Sequence, residues 1–233
     1  MFKFDKLVFG DLGWGDEFLF ATLMTITVSI LSMGLGLCLA ILTVWAKLIT
    51  NKITLLIANF YTTVVRGVPE LLVIYLIFFG GNTVVMSIAK LFGYHGYIEL
   101  NALTIGTIAI AFISATYSSE VLRAAYLAVN KGQIEAAKAL GLNKFQIFFK
   151  VMGPQILRHA LPGIGNVWQI TLKDTSLISV TGLVEIMRQS YIAAGSTRDP
   201  LFFYSFAAVL YLLLTFISMK LINRLEVKYS RGY

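Results

Sequence analysis

Long charge-free runs recur along this chain, separated by short patches rich in Lys and Arg or in Asp and Glu. Phe18 to Ala46, Leu100 to Ser119 and Pro200 to Met219 carry no charged side chain, and each reaches the roughly 20 residues that cross a hydrocarbon core as a helix. Two further apolar stretches are as long but interrupted. Ile53 to about Gly81 contains Arg66, Pro69 and Glu70, and His159 to Val184 contains Pro162, Lys173 and Asp174. Counting both predicts an all-α polytopic membrane protein with five transmembrane helices over about 18–46, 53–81, 100–122, 159–184 and 200–222, one domain across residues 1–233. Inside a bilayer, backbone groups freed by a break need protein or a watery cavity to receive them, so a polar path is expected at the two interrupted spans.

Composition agrees: 58% of the 233 residues are hydrophobic and 13% charged, more apolar matter than a soluble domain of this size hides in one core. The net charge of +7 does not read as nucleic-acid binding, because the cations sort by loop rather than gathering with stacking aromatics. Lys47 and Lys52 lie between spans one and two. Arg123, Lys131, Lys138, Lys144, Lys150 and Arg158 lie between three and four, and Lys220, Arg224, Lys228 and Arg231 follow span five. In the other connections acids balance or outnumber the cations: Asp5, Asp11, Asp16 and Glu17 against Lys3 and Lys6, Glu99 against Lys90, and Glu185 and Asp199 against Arg188 and Arg198. Positive charge stays cytoplasmic, which predicts an inner-membrane protein with its N-terminus outside and its C-terminus inside. The first apolar run is too long, and the segment before it too acidic, for a cleavable signal. Cys38 lies alone within span one and reads as a small packing residue, while His95 and His159 have no ligand-like neighbours, so neither a metal site nor a disulfide is predicted.

The inner segment Arg123 to Arg158 is the most specific part of the chain. Gln133 to about Leu140 are helix formers, and Gly141 followed by Asn143 is an ordinary C-terminal stop. Ala136, Ala137 and Ala139 would admit another backbone closely, with Ile134 and Leu140 as apolar anchors for a partner groove. The same composition suits a helix lying on lipid headgroups, and composition leaves both readings open. The sequence Glu135-Ala136-Ala137, Gly141 after three residues, then a hydrophobic residue and Pro154, resembles the EAA loop of binding-protein-dependent ABC importer permeases. That resemblance implies a type I ABC importer permease fold. In it the loop, about 131–154, forms a coupling helix that docks on an ATPase subunit through Glu135, Ala136, Ala137, Gly141 and Pro154. One departure is visible: the family usually has Leu immediately before the proline, where this chain has Gly153.

The similarity extends over most of the chain. Tyr61 to Glu70, YTTVVRGVPE, resembles the second-span signature of the polar amino-acid permeases, and Leu172 to Leu177, LKDTSL, their fourth-span signature. With Ala160 to Asn166, Trp168-Gln169 and Gly195-Ser196-Thr197, the chain is most similar to the histidine, lysine-arginine-ornithine, octopine and nopaline subgroup; glutamine or glutamate systems stay open. The resemblance implies an ATP-driven importer for polar, basic amino acids or opines. Its partners would be a second permease subunit of related but different sequence, two ATPase subunits using ATP and magnesium, and an extracytoplasmic solute-binding protein. The chain carries no G-x-x-x-x-G-K-[ST] phosphate loop, so no cofactor and no enzymatic activity are expected of it.

An ionisable group at the bilayer centre costs at least about 2.5–3.5 kcal/mol and faces protein or a water-filled path. Arg66, Lys173 and Asp174, with Thr175 beside them, are therefore the candidate substrate pathway. Lys173 and Asp174 suit the carboxylate and ammonium of a zwitterion; equally, Asp174 could neutralise Arg66 and fix span two to span four. Glu70 reads as close to the outer face, and Glu120 with Arg123 as an intrahelical pair. Ser29, Ser32, Gly34, Gly36, Gly163 and Gly165 predict close helix crossings. Trp14, Phe202, Phe203 and Tyr204 predict interfacial belts. A membrane-embedded enzyme would need a cluster of His, Cys or carboxylates on facing spans, and none is evident. A channel or secondary transporter could use the same three charges but gives no reason for a docking loop.

Overall fold

Span one is a single 34-residue helix, α1 (Gly15–Leu48), and it lies parallel to α4 (Ala102–Ala128). Three contacts at successive levels fix that direction. Ser32 donates to the Thr107 carbonyl at 3.1 Å, Gly36 backs onto Ser114, and Lys47 pairs with Glu120. A Cβ on Gly36 would fall 2.2 Å from Ser114 Oγ, so the small residue is what lets these helices meet. Gly34 faces open space and takes no part in the crossing. Cys38 is exposed, not the packing residue expected. The computed structural model describes residues 3–10, 13–49, 51–94, 96 and 101–230, all-helical without strands; Asp11, His95, Glu99 and Arg231 lie outside the described residues.

The predicted second span is two helices, α2 (Lys52–Gly67) and α3 (Glu70–Leu91). Val68 is extended, at φ −106 and ψ 141, as a residue before proline prefers, and Pro69 has no N–H with which to continue the ladder. The long apolar stretch belongs to α3, which runs past Gly81 to Leu91.

After α4 the chain forms α5 (Lys131–Ala139), α6 (Lys144–Ile147) and a π-helical turn over Phe148–Met152 before α7 (Gly153–Asp174). A 3-10 segment, Thr175–Thr181, leads to α8 (Ile186–Thr197) and α9 (Pro200–Ser230). Helix α7 continues through Pro162 and runs antiparallel to α4. Gly163 backs onto Val121 and Gly106 onto Ile178, where an added Cβ would lie 2.6 and 2.8 Å away. A Cβ on Gly165 would lie 2.8 Å from Ile222 of α9, so α7 is sandwiched between α4 and α9.

Among the described residues, four helices are long and apolar enough to cross a membrane: α1, α3, α4 and α9. Helix α7, which carries Arg158, His159, Lys173 and Asp174, is not among them, so the count of five is not reached by length and composition.

At the start of α1, Phe18 stacks on Phe203, with centroids 6.0 Å apart, and Trp14 meets the same ring edge-on. These rings pack on Ala193 and Ala194 of α8. Phe203 is fully buried, so it is core rather than belt. Helix α8 is pinned at its start by Glu185, a fully buried carboxylate that accepts from the Met187 and Arg188 amides at 2.9 and 2.8 Å and from the Tyr211 hydroxyl at 2.9 Å.

Candidate pathway and coupling surfaces

A cavity of about 570 Å³ opens between the ends of α1, α2 and α4, with Lys47, Asn59, Thr62, Arg66, Tyr117, Glu120 and Arg123 among its walls. Lys47 is the anchor. Its side chain is 4% exposed, and its ammonium donates to Thr62 Oγ1 at 2.8 Å and to the Glu120 carboxylate. Arg123 stands 3.9 Å from the other Glu120 oxygen, so the intrahelical pair read from the sequence is one arm of a clamp joining three helices. Lys47, Arg66 and Arg123 are the cations in its walls and Glu120 the carboxylate.

Arg66 lies over the Tyr117 ring, 5.4 Å from its centroid, a cation–π contact. The same tyrosine donates its hydroxyl to Glu70 at 3.0 Å. Because Tyr117 is one turn from Glu120 on α4, Glu70 sits beside this cavity. Asp174 is half-buried at the end of α7, within electrostatic range of Glu70, Lys173 and Tyr117. Among the described residues Arg66 and Asp174 form no ion pair, so neutralisation of one by the other is not what joins α2 to α7. Lys173 is exposed. Thr175 is fully buried, donating to the Leu172 carbonyl at 2.7 Å and lying 3.5 Å from the Tyr211 hydroxyl. It faces Tyr211 of α9, away from Asp174's surroundings. The structure thus gathers Arg66, Glu70 and Tyr117, brings Asp174 near them, and separates Thr175. Lys47, Thr62 and Tyr117 were missed: Lys47 reads as an ordinary loop cation, and its partners lie 15 and 73 residues away.

The loop between α4 and α7 is built by local chemistry. Asn130 caps α5 by accepting from the Gly132 amide at 2.8 Å. At the other end Gly141 takes φ +77, its amide donating to the Lys138 carbonyl at 2.9 Å and the Leu142 amide to the Ala137 carbonyl at 3.1 Å. That is a Schellman stop, and the positive φ is why glycine stands there. Asn143 and Gln146 then form a capping box that starts α6. Ala137 is buried against Val129, Ile147 and Met152, with Ile134 partly buried on the same cluster, and both hold α5 to its own chain. Glu135, Ala136, Lys138, Ala139 and Leu140 face outward, Leu140 with 81% of its surface exposed.

Gly153 closes the π turn by donating to the Phe148 carbonyl. A Cβ there would lie 3.0 Å from that carbonyl oxygen. Pro154, with no N–H, follows in the first turn of α7, so the residue that departs from the family pattern is the one the tight turn favours.

An apolar helical bundle with a capped, outward-facing helix between two of its spans defines a transporter membrane component. The chain belongs to the family of binding-protein-dependent transport system inner membrane components, which matches residues 33–231. It is a permease subunit of such an importer, not an enzyme. The octopine transport system permease protein OccQ of Rhizobium meliloti is 46% identical over 96% of this chain and 94% of its own length. The nopaline transport system permease protein NocQ of Agrobacterium fabrum is 50% identical over 97% and 96%. The histidine/lysine/arginine/ornithine transport system permease protein HisQ of Escherichia coli is 37% identical over 94% and 96%. Among solved structures, an amino acid ABC transporter crystallised with histidines superposes with a TM-score of 0.78 at 29% identity, covering 92% of this chain and 95% of that one. The MetNI methionine transporter, at 14% identity and a TM-score of 0.73 over 92% and 96%, shares the fold.

Proposed function

We propose that this chain forms one half of the pore of an ATP-driven importer for a polar, basic amino acid or an opine. The observation that carries the reading is α5: a capped helix, packed through Ala137 on Val129 at the end of α4 and on Ile147 and Met152 leading into α7, that presents Glu135, Ala136 and Leu140 outward. A surface so held can pass a push from a docked ATPase to both helices, with Gly141 and Pro154 setting where the loop turns. The three relatives' names, which specify octopine, nopaline or histidine with the basic amino acids, agree with cavity walls that carry Lys47, Arg66 and Arg123 for a carboxylate and with Glu70 and Asp174 nearby for an ammonium or guanidinium. Arg66, Lys173 and Asp174 are the proposed pathway charges.

The whole chain is read as one permease domain of five spans, the fourth formed by α7 and its 3-10 extension. Contacts with α4 from Val121 to Gly106 extend over about 22 Å at 1.5 Å per residue, roughly three quarters of the depth of a hydrocarbon core. The N-terminus is placed outside and the C-terminus inside. The loop cations support this, as does Lys6 bonding Asp199 at 3.0 Å, which puts the N-terminal segment beside the α8–α9 connection. The partners are a second permease subunit, two ATPases using ATP and magnesium, and a solute-binding protein. A self-sufficient channel would leave α5 without a role. Co-purification with candidate permease and ATPase subunits, then ATPase stimulation by binding protein loaded with histidine, arginine, lysine, ornithine or an opine, tests the reading. A well-folded preparation that retains no ATPase would overturn it.

A further inference from the structure

The lower end of α9 carries a feature the transport reading does not use. Phe216, Lys220, Arg224 and Lys228 follow one another at intervals of four residues, a stripe that descends the helix one turn at a time. With Met219 and Asn223 they line an open cleft of about 820 Å³. All three cations are exposed, and none pairs with an acid among the described residues. The opposite flank of the same turns is occupied: Ile222 packs against Gly165 of α7, with the Glu226 carboxylate on that side. The stripe therefore faces away from the chain's own bundle. Above it Leu212, Leu213 and Ile217 are more than half exposed, a face suited to acyl chains.

Helix length sets the level. About 20 residues cross the hydrocarbon core, so a helix entering at Pro200 leaves it near Lys220, with Arg224 and Lys228 one and two turns beyond. Cations at that depth, below an aromatic ring and an apolar face, meet phosphate oxygens first. We propose that this end of α9 is a binding site for an anionic phospholipid, its phosphate held by Lys220, Arg224 and Lys228 and its acyl chain lying along Met219 and Phe216.

The test uses the full chain purified with its partner subunits, and its readout needs neither ATP nor solute, so it stands or falls apart from the transport reading. A Phe216→Trp reporter is titrated with brominated phosphatidylglycerol or brominated phosphatidylcholine, and quenching is taken as the difference from unsubstituted protein. Near-surface cations contribute about fivefold each at low salt, so the anionic lipid should quench at a concentration at least about tenfold lower. Lys220→Gln/Arg224→Gln/Lys228→Gln should erase the difference, and Lys220→Arg/Lys228→Arg should keep it. Should the triple variant not assemble, raising salt on the reporter protein should collapse the preference by screening. Equal quenching by both lipids, or a preference indifferent to salt and to the triple variant, overturns the proposal. Loss of the ATPase from the triple variant with lipid preference unchanged would also overturn it, in favour of protein docking.

Discussion

Lys47→Met removes a cation whose side chain is 4% exposed and leaves Glu120, 32% exposed, with Arg123 at 3.9 Å as its remaining partner. Stripping one member from a fully buried ion pair costs about 3–5 kcal/mol. Here the surviving carboxylate keeps part of its hydration and a second cation, while Thr62 loses a 2.8 Å donor; the cost is accordingly about 2 kcal/mol. For a chain of this size that lowers Tm by about 4–8 °C, measurable by thermal unfolding in detergent. Glu120→Gln should cost at least as much, because it removes the negative charge that compensates the buried ammonium and leaves it only neutral acceptors. The pair should show in a double-mutant cycle: Lys47→Met/Glu120→Gln should be about 1–2 kcal/mol more stable than the sum of the single changes implies. Additivity within about 0.5 kcal/mol would refute the clamp and return Lys47 to the role of a loop cation.

Three other outcomes follow from the geometry. Gly141→Pro cannot adopt φ +77 and removes the amide that bonds the Lys138 carbonyl, so ATP hydrolysis should separate from uptake in reconstituted vesicles; normal ATP-dependent uptake by a correctly inserted variant would defeat the coupling assignment. Gly36→Leu pushes a side chain into Ser114 and the Ala111 carbonyl and should destabilise by about 1–3 kcal/mol, whereas Gly34→Leu, facing open space, should leave Tm within a degree or two. Glu185→Ala deletes three hydrogen bonds at the start of α8, and amide exchange over residues 186–190 should accelerate at least about tenfold; unchanged protection there would mean that packing alone holds the helix.

The coupling loop was the most legible part of the chain because its geometry is local. Asn130 and Gly141 bracket α5 within a dozen residues, and a capping side chain or a positive φ acts on its immediate neighbours. The break at Pro69 was legible for the same reason, as were the long apolar helices, whose solvent is dictated by composition. What α5 does with each face was not. Ile134 and Ala137 look as available as Leu140 in the sequence, yet they turn inward because Ile147 and Met152 come back beneath them.

The sequence by itself determined that this is a helical membrane protein, where its chain breaks at Pro69 and Gly141, and which family's loop it carries, since hydropathy, proline and glycine act over a few residues. Only the tertiary structure decided which charges meet. Lys47 reaches Glu120 because α1 and α4 run parallel at the closeness Gly36 allows, and Glu70 joins Arg66 through a tyrosine on a third helix. Thr175 is turned from its neighbour Asp174 toward Tyr211 by a single 3-10 step. Such pairings depend on distances between helices far apart in the chain, and helix–helix packing sets those distances through side chains that no local pattern links.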